Sequence, residues 1–366
     1  MKFTIDKPVF IKVLQKVQGI VEKRNTMPIL ANVLLDASKG RINVMATDLD
    51  VFIKDSAQAN VTEEGSMTVN ARKIFEIVKE LPGDQIDVTS GKDDKITIKA
   101  GKARFSVMGL PSKDFPAFPA TDESKFEPIR SDDLREMIDK TVFAVSTDET
   151  RYNINGFLLE KEESTIRMVA TDGHRLALIE KADSMAVEKK SSVLLPRKGV
   201  LEMRKVLDEK EGEFFLAVLP KSAVMKKDTT VISIRLLEGE FPDYKKVIPK
   251  DNTNEASADR TTLLASLKRV SILSTDKIKG VKFSFSTNKL TLSTSSPDLG
   301  DATEDVEIKY DSADVEIAFN ARYLMDMLEA LTDESVTITL KDALSPGIVR
   351  PLGIKDYTYI IMPMRL

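Results

Sequence analysis

The only histidine in the chain, His174, lies in the stretch MVATDGHRLALIE (168–180), two residues after Asp172 and one before Arg175. An aspartate and a histidine this close can act as a base and its orienting group, with Thr171 as an adjacent nucleophile. Such a site also needs an oxyanion pocket and a nucleophile that projects independently, whereas residues i and i+2 of a strand already share one face. The same pattern occurs earlier as VMATDLDVF, where Asp48 is kept but Gly-His-Arg is missing. Whatever Gly173, His174 and Arg175 do is therefore specific to one part of the chain, and catalysis is not the expected role.

Other chemistries are bounded by composition. With no cysteine there is no disulfide, thiolate nucleophile or cysteine metal site, which fits a reducing, cytoplasmic setting. One histidine leaves only carboxylate-rich metal sites, and no acidic cluster has the spacing for one, so no metal and no cofactor is expected. No G-x-x-x-x-G-K-[ST] run marks a P-loop, and no helix-turn-helix, zinc-finger or RNA-recognition signature marks base readout. No apolar run approaches the roughly 18 residues of a membrane span.

The elements that must position these residues recur three times. A helix-like stretch leads into a strand-like one at KPVFIKVLQKVQGIVEKR to ANVLLDA, at SDDLREMIDKTVFAV to NGFLLE, and at RTTLLASLKRVSILS to GVKFSFS. Asn32, Gly156 and Gly280 mark corresponding turns, 124 residues apart each time, and Asp48 and Asp172 are also 124 apart. A short helix opening on a basic residue follows at ARKIFEIVKEL, PRKGVLEMRKVL and ARYLMDMLEAL, with Arg72, Arg197 and Arg322 spaced by 125. An F-P or M-P unit closes each copy at Pro116, Pro242 and Pro363. The period exceeds that of a solenoid, so each copy is a domain, and the turn-rich stretches 116–128 and 248–260 read as linkers. Segments such as KITIKA, ARFSVMG, TVISIRLL and VTITL alternate at period two, as strands do. The unit is two helices on a mainly antiparallel sheet, an α+β layer architecture.

A net charge of −4 argues on average against nucleic acid. The charge is segregated, however: the six helical windows (7–24, 71–80, 131–145, 197–210, 259–279, 320–334) hold twenty-one basic and sixteen acidic residues. Lys12, Lys16 and Lys23 share a helical face, as do Arg72 with Lys79 and Arg197 with Arg204. Solvated helix faces and a positive inner surface facing a polyanion both account for this bias. The C-terminal YIIMPMRL is open in the same way: it is either a last strand tucked into the third copy or the apolar lining of a groove for a partner peptide.

From MKFT to MPMRL, through TMPIL, TDL, VATDGHRLA, PRKGV and FPDY, the chain resembles the bacterial sliding clamps, the beta subunits of DNA polymerase III. The resemblance implies a DNA clamp fold of three domains (1–122, 123–250, 251–366), closing as a head-to-tail homodimeric ring with twelve helices around a central hole. It implies a non-catalytic protein without cofactor that holds duplex DNA independently of sequence and tethers the polymerase III alpha subunit, the clamp loader, other polymerases and repair proteins. Expected DNA contacts are Arg24, Arg151 and Tyr152, with Arg72, Lys198 and Lys12 added from helix position; Glu149 stands where glutamine is frequent in the family. The partner-peptide pocket matched onto this chain is Ile154, Thr171, Gly173, His174, Arg175, Leu176, Pro242, Val247, Ile360, Met362, Pro363, Met364, Arg365 and Leu366, with Gly173 admitting a peptide close to the backbone. Lys246 replaces a familiar arginine there and lacks its planar fork. The subunit interface would pair Phe105 and Val107 with Ile272 and Leu273, rimmed by Lys73 and Arg104 facing Asp298, Asp301 and Glu304. Ring opening would then require a separate ATP-using loader.

Overall fold

The computed structural model of the chain describes residues 1–21, 27–91, 93–148, 150–208, 213–274 and 280–365, without the side chains of 183–190. The threefold repeat is a structural repeat. Copy one runs β1 (Lys2–Asp6), α1 (Lys7–Gln18), β2 (Asn32–Ser38), β3 (Arg41–Thr47), β4 (Val51–Gln58), β5 (Asn60–Glu63), β6 (Gly65–Asn70), α2 (Ala71–Glu80), β7 (Gln85–Ser90), β8 (Lys95–Ala100) and β9 (Ala103–Leu110). Copy two has β10 (Glu127–Ile129), α3 (Ser131–Asp139), β11 (Gly156–Thr171), β12 (Arg175–Pro196), α4 (Arg197–Leu207), β13 (Phe214–Val218), β14 (Ser222–Lys227) and β15 (Thr230–Arg235). Copy three has β16 (Asn254–Asp259), α5 (Arg260–Val270), β17 (Gly280–Ser286), β18 (Lys289–Ser296), β19 (Gly300–Glu307), β20 (Lys309–Tyr310), β21 (Val315–Asn320), α6 (Ala321–Ala330), β22 (Ser335–Leu340), β23 (Gly347–Pro351) and β24 (Tyr357–Ile361).

Asn32, Gly156 and Gly280 prove to be strand starts rather than turns. Each pairs with the residue that precedes its copy's second helix: Asn70, Pro196 and Asn320. The helices begin where a short polar side chain can satisfy their free N–H groups. Asp6 accepts from Val9 N at 3.3 Å, Asn70 from Lys73 N at 3.1 Å, Asp259 from Thr262 N at 2.7 Å and Asn320 from Arg322 N at 3.0 Å. α1 ends at Gln18, short of the expected 24, and Lys23 and Arg24 lie outside the described residues. Lys16 does not join Lys12 on a free face, because it is half-buried and bonds Asp55 at 3.3 Å and Thr230 at 3.1 Å.

Two compact units divide the chain, Met1–Asp132 with Lys198–Leu236, and Asp133–Arg197 with Leu237–Leu366, so the boundary passes through copy two. The first unit holds a thirteen-stranded sheet in which β15 of copy two pairs antiparallel with β4 of copy one, Ile234 opposite Val51. The helix carrying PRKGV packs on that strand with no room for a side chain at Gly199: a Cβ there would lie 2.4 Å from Ile234 Cγ2. The second unit has a seven-stranded sheet, where β24 of copy three pairs with β12 of copy two, Ile361 opposite Arg175, and a four-stranded sheet ending in β19. Phe10, Val17, Ile74 and Val78 in the first unit, and Met137, Leu267, Met327 and Leu328 in the second, bury the inner helix faces against the sheets. The stretch 248–260, expected to be linker, contains β16 paired along its length with β22.

Three residues at related places lie in the left-handed region: Lys39 (φ 50°) and Asn288 (φ 56°) in the β2–β3 and β17–β18 hairpin turns, and Glu163 (φ 53°) at a register shift within β11. Asn tolerates that backbone and Glu does not. Glu163 is exposed, so its side chain contributes no packing. Glu163→Gly is expected to stabilise the second unit by about 0.5–1 kcal/mol, seen as a higher urea midpoint at unchanged m-value; an unchanged or lower midpoint would show that the backbone there is unstrained.

Candidate functional site

The Thr-Asp pair of the repeat builds the same tight turn twice. At the tip of the β11–β12 hairpin, Asp172 Oδ1 accepts from His174 N (2.9 Å) and Arg175 N (3.1 Å), while Thr171 Oγ1 donates to Arg175 O (2.6 Å) and accepts from Gly173 N (3.0 Å). Between β3 and β4, Asp48 Oδ1 accepts from Asp50 N (3.1 Å) and Val51 N (2.7 Å), and Thr47 Oγ1 accepts from Leu49 N (2.9 Å). The turn needs positive φ at its second residue, which is Gly173 (φ 91°) in copy two and Leu49 (φ 82°) in copy one. The Thr171 hydroxyl and Asp172 Oδ1 are thus committed to backbone, and Asp172 Oδ2 pairs with Arg175. The hydrolase arrangement is not assembled.

Arg175 organises this turn. Its side chain is 9% exposed and pairs with Asp172 Oδ2 at 3.0 Å and Asp326 Oδ2 at 2.8 Å, donates to Phe143 O, and lies 4.3 Å over the Tyr323 ring. Burial opposes its charge, but Tyr359, Asp326 and Asp172 outweigh that penalty and raise its pKa above the ordinary value. Asp326 is also held from α6 by Arg322 at 2.7 Å, and His174 stacks on Tyr323 with ring centres 6.4 Å apart.

Beside this network opens an apolar cleft of about 120 Å³, lined by Arg151, Ile154, Thr171, Gly173, Arg175, Leu176, Phe241, Pro242, Tyr244, Val247, Ile360 and Met362. Nine of the residues expected to form a peptide pocket are therefore brought together. His174 instead lines an adjoining cavity of about 370 Å³ with Ser146, Thr147, Asp148, Arg197 and Tyr323. Pro363, Met364 and Arg365 follow β24 without lining the cleft, Met364 N bonding Ala318 O at 2.8 Å, and Leu366 lies outside the described residues. Phe241 and Tyr244 were legible from FPDY but not singled out. Tyr244 is buried and its hydroxyl donates to the buried Glu160 carboxylate at 2.5 Å; burial and then Glu160 push its pKa well up. Gly173 does not present open backbone to the cleft, since a Cβ there would meet the Arg151 guanidinium at 2.8 Å. Lys246 is exposed and pairs with Asp243 at 3.1 Å.

Of the residues expected at DNA, Lys12 and Arg72 are exposed on their helices and Tyr152 is 64% exposed. Lys198 pairs with Asp48, Arg151 bonds Asp172 O at 2.9 Å on the cleft wall, and Arg24 and Glu149 lie outside the described residues. Of those expected at the subunit interface, β9 exposes Arg104 and Phe105, with Val107 half-buried, and Ile272 is 73% exposed beside the half-buried Leu273. Lys73 pairs with Glu76 at 2.8 Å, Asp298 and Asp301 are exposed, and Glu304 is taken by Arg269 (Nε to Oε2, 2.9 Å) and Ser266 (2.6 Å). Met108 and Leu299 are exposed apolar residues on the same two segments that sequence reasoning missed.

Three copies of one α+β unit, with an apolar cleft whose polar atoms hold backbone rather than reacting groups, define a repeat-built binding protein. Sequence models of the DNA polymerase III beta subunit match residues 1–119 (N-terminal domain), 128–243 (central domain) and 245–365 (C-terminal domain). The beta sliding clamp of Pseudomonas putida is 35% identical and that of Escherichia coli 32% identical, each over the full length of both chains. The crystal structure of a Pseudomonas aeruginosa sliding clamp bound to griselimycin superimposes with a TM-score of 0.95 at 36% identity, covering all of both chains. The chain belongs to the DNA polymerase III beta subunit family, the beta sliding clamps, and is a non-catalytic member of the replication machinery.

Arg175→Met would leave Asp172 in a largely dry site without its counter-ion and is expected to cost about 3–5 kcal/mol of stability in urea unfolding. Adding Asp172→Asn should recover part of that loss, and an additive further loss would contradict the pairing. A pH test addresses Glu304. The hydrogen bonds from Arg269 and Ser266 hold its carboxyl down to about 2, so it stabilises the fold fully above the ordinary carboxylate range and loses that contribution as pH falls toward 2. The stability gap between wild type and Glu304→Gln should therefore close between about pH 4.5 and 2; a gap constant over that range would rule out the link.

Proposed function

We propose that this chain is the processivity clamp of the replicative polymerase. Two copies join head to tail into a ring around duplex DNA, and the cleft beside Arg175 takes short apolar-tipped peptides of the polymerase III alpha subunit, the clamp loader, other polymerases and repair proteins. The observation that carries this reading is the apolar cleft itself, with nine of the expected residues on its wall. The domains are read as 1–122, 123–250 and 251–366, beside family segments at 1–119, 128–243 and 245–365. The protein acts in the cytoplasm; among the described residues no helix is long and apolar enough to cross a membrane.

Ring closure is supported by two strands with a free side. Among the described residues, β9 pairs with β8 over its length but meets β6 only at Gly109 and Leu110, and β19 pairs only with β18. Joining the β9 edge of one copy to the β19 edge of the other would bury Phe105 and Ile272 and set Arg104 near Asp301. DNA contact is read as weak and sequence-independent, through Lys12, Arg72 and Tyr152, with Arg24 and Arg151 nearby and Lys198 released from Asp48, since a tight grip on phosphate would stop sliding.

Loaded by a matching loader with ATP onto nicked circular DNA, the protein is expected to stay on circles in high salt and to leave once a restriction enzyme creates an end. If salt strips it equally from circles and linear DNA, binding is ordinary electrostatics and the ring reading fails.

A further inference from the structure

Behind the cleft wall, bonded to the wall residue Tyr244, lies a buried acid that the apolar surroundings do not call for. Glu160 and Tyr244 are each 5% exposed, and Tyr244 belongs to the apolar cluster of Leu158, Val169, Leu176 and Ile360. A carboxylate in such a place carries a desolvation cost that needs a specific compensating contact. The repeat supplies an internal control. The residue of copy one that corresponds to Glu160 is Asp36, which turns to Asn43 Nδ2 (3.1 Å) and Ser38 Oγ (3.3 Å). The residue that corresponds to Tyr244, by the shared F-P unit, is Phe118, which has no hydroxyl to anchor and leans edge-on against Phe52 at 6.0 Å. Phe52 in turn corresponds to Leu176 of the cleft. The acid–phenol pair is therefore present in the copy that carries the cleft and absent where the equivalent aromatic packs onto its neighbour.

We propose that Glu160 is a positioning residue for the peptide cleft: by holding the Tyr244 hydroxyl it keeps the ring on the wall and stops it from turning onto Leu176 and filling the space. A ring tethered at its para position keeps one orientation, whereas an untethered ring beside an empty apolar volume gains contacts by moving in. The inference rests on the reading of the cleft as a partner site.

The test is a double-mutant cycle on the full-length protein, with griselimycin as the probe and thermal unfolding and sedimentation as controls. Glu160→Leu and Tyr244→Phe should each weaken griselimycin binding about tenfold with the dimer retained, and the double variant should be no worse than either. Glu160→Gln, which can still accept from the phenol, should stay within about twofold of wild type. Additive losses, or a Glu160→Leu protein that binds as wild type, would overturn the proposal while leaving the clamp reading intact. A wild-type protein that fails to bind griselimycin would remove the cleft reading and this proposal with it.

Discussion

The second unit is arranged around one desolvated cation. The Arg175 guanidinium has left water almost completely, so its donors must be met by protein, and they are met from three separate segments: Asp172 of the hairpin turn, Phe143 O after α3, and Asp326 of α6. Removing any one of these leaves a buried charge underpaired, which costs more than the pair is worth when intact. Asp172 couples the ion pair to the backbone, because one carboxylate oxygen closes the turn while the other holds the guanidinium. Thr171, Gly173 and Leu176 reach the cleft from positions that this network fixes, so the apolar site is only as well ordered as the charged one behind it.

Copy one shows what the turn does without that cation. Thr47 and Asp48 cap the backbone in the same way, but Val51 occupies the position of Arg175, and the free oxygen of Asp48 takes Lys198 instead. The second turn residue is Leu49, exposed and in the left-handed region, where copy two has Gly173 with Arg151 packed against it. The two copies share the turn and differ in its counter-ion: the copy-one turn joins neighbouring strands of one sheet and pairs with Lys198, and the copy-two turn borders the cleft and pairs with Arg175.

Much of this was legible in the sequence. Periodicity placed the six helices of the described residues, and the 124-residue spacing matched the strand starts of three copies and the Thr-Asp turn of two. The misreadings have physical causes. NEASAD was taken for linker because Ala256 and Ala258, though buried, are too small to mark an apolar face. The continuous ladders β4–β15 and β12–β24 tie copy two to both neighbours, and no local pattern encodes a pairing between strands some 180 residues apart. The sequence also does not show what holds Arg175 and Arg151 in place: Arg175 lines the cleft as a buried, ion-paired residue, and Arg151 lines it bound to Asp172 O. Sequence spacing shows that these residues lie together but not that the charge of Arg175 is met inside the protein.

The free strand edges carry the remaining argument. An unpaired edge invites association with any other strand, and charge is the usual means of restricting the choice. β19 carries Asp301, Glu304, Asp305 and Glu307 and no base, so two β19 edges repel; β9 carries Arg104 and no acid. Glu304 is held by Arg269 and Asp305 lies 3.7 Å from Lys289, while Asp301 and Glu307 are exposed. A symmetric pairing of like edges is thereby disfavoured and a pairing of unlike edges favoured. Unlike edges on one chain generate either a closed ring or an open filament, depending on whether the rotation between successive copies closes. In the proposed ring the charge pattern thus favours head-to-tail joining, while closure at two copies is a separate property that must come from the angle between the two edges rather than from their chemistry.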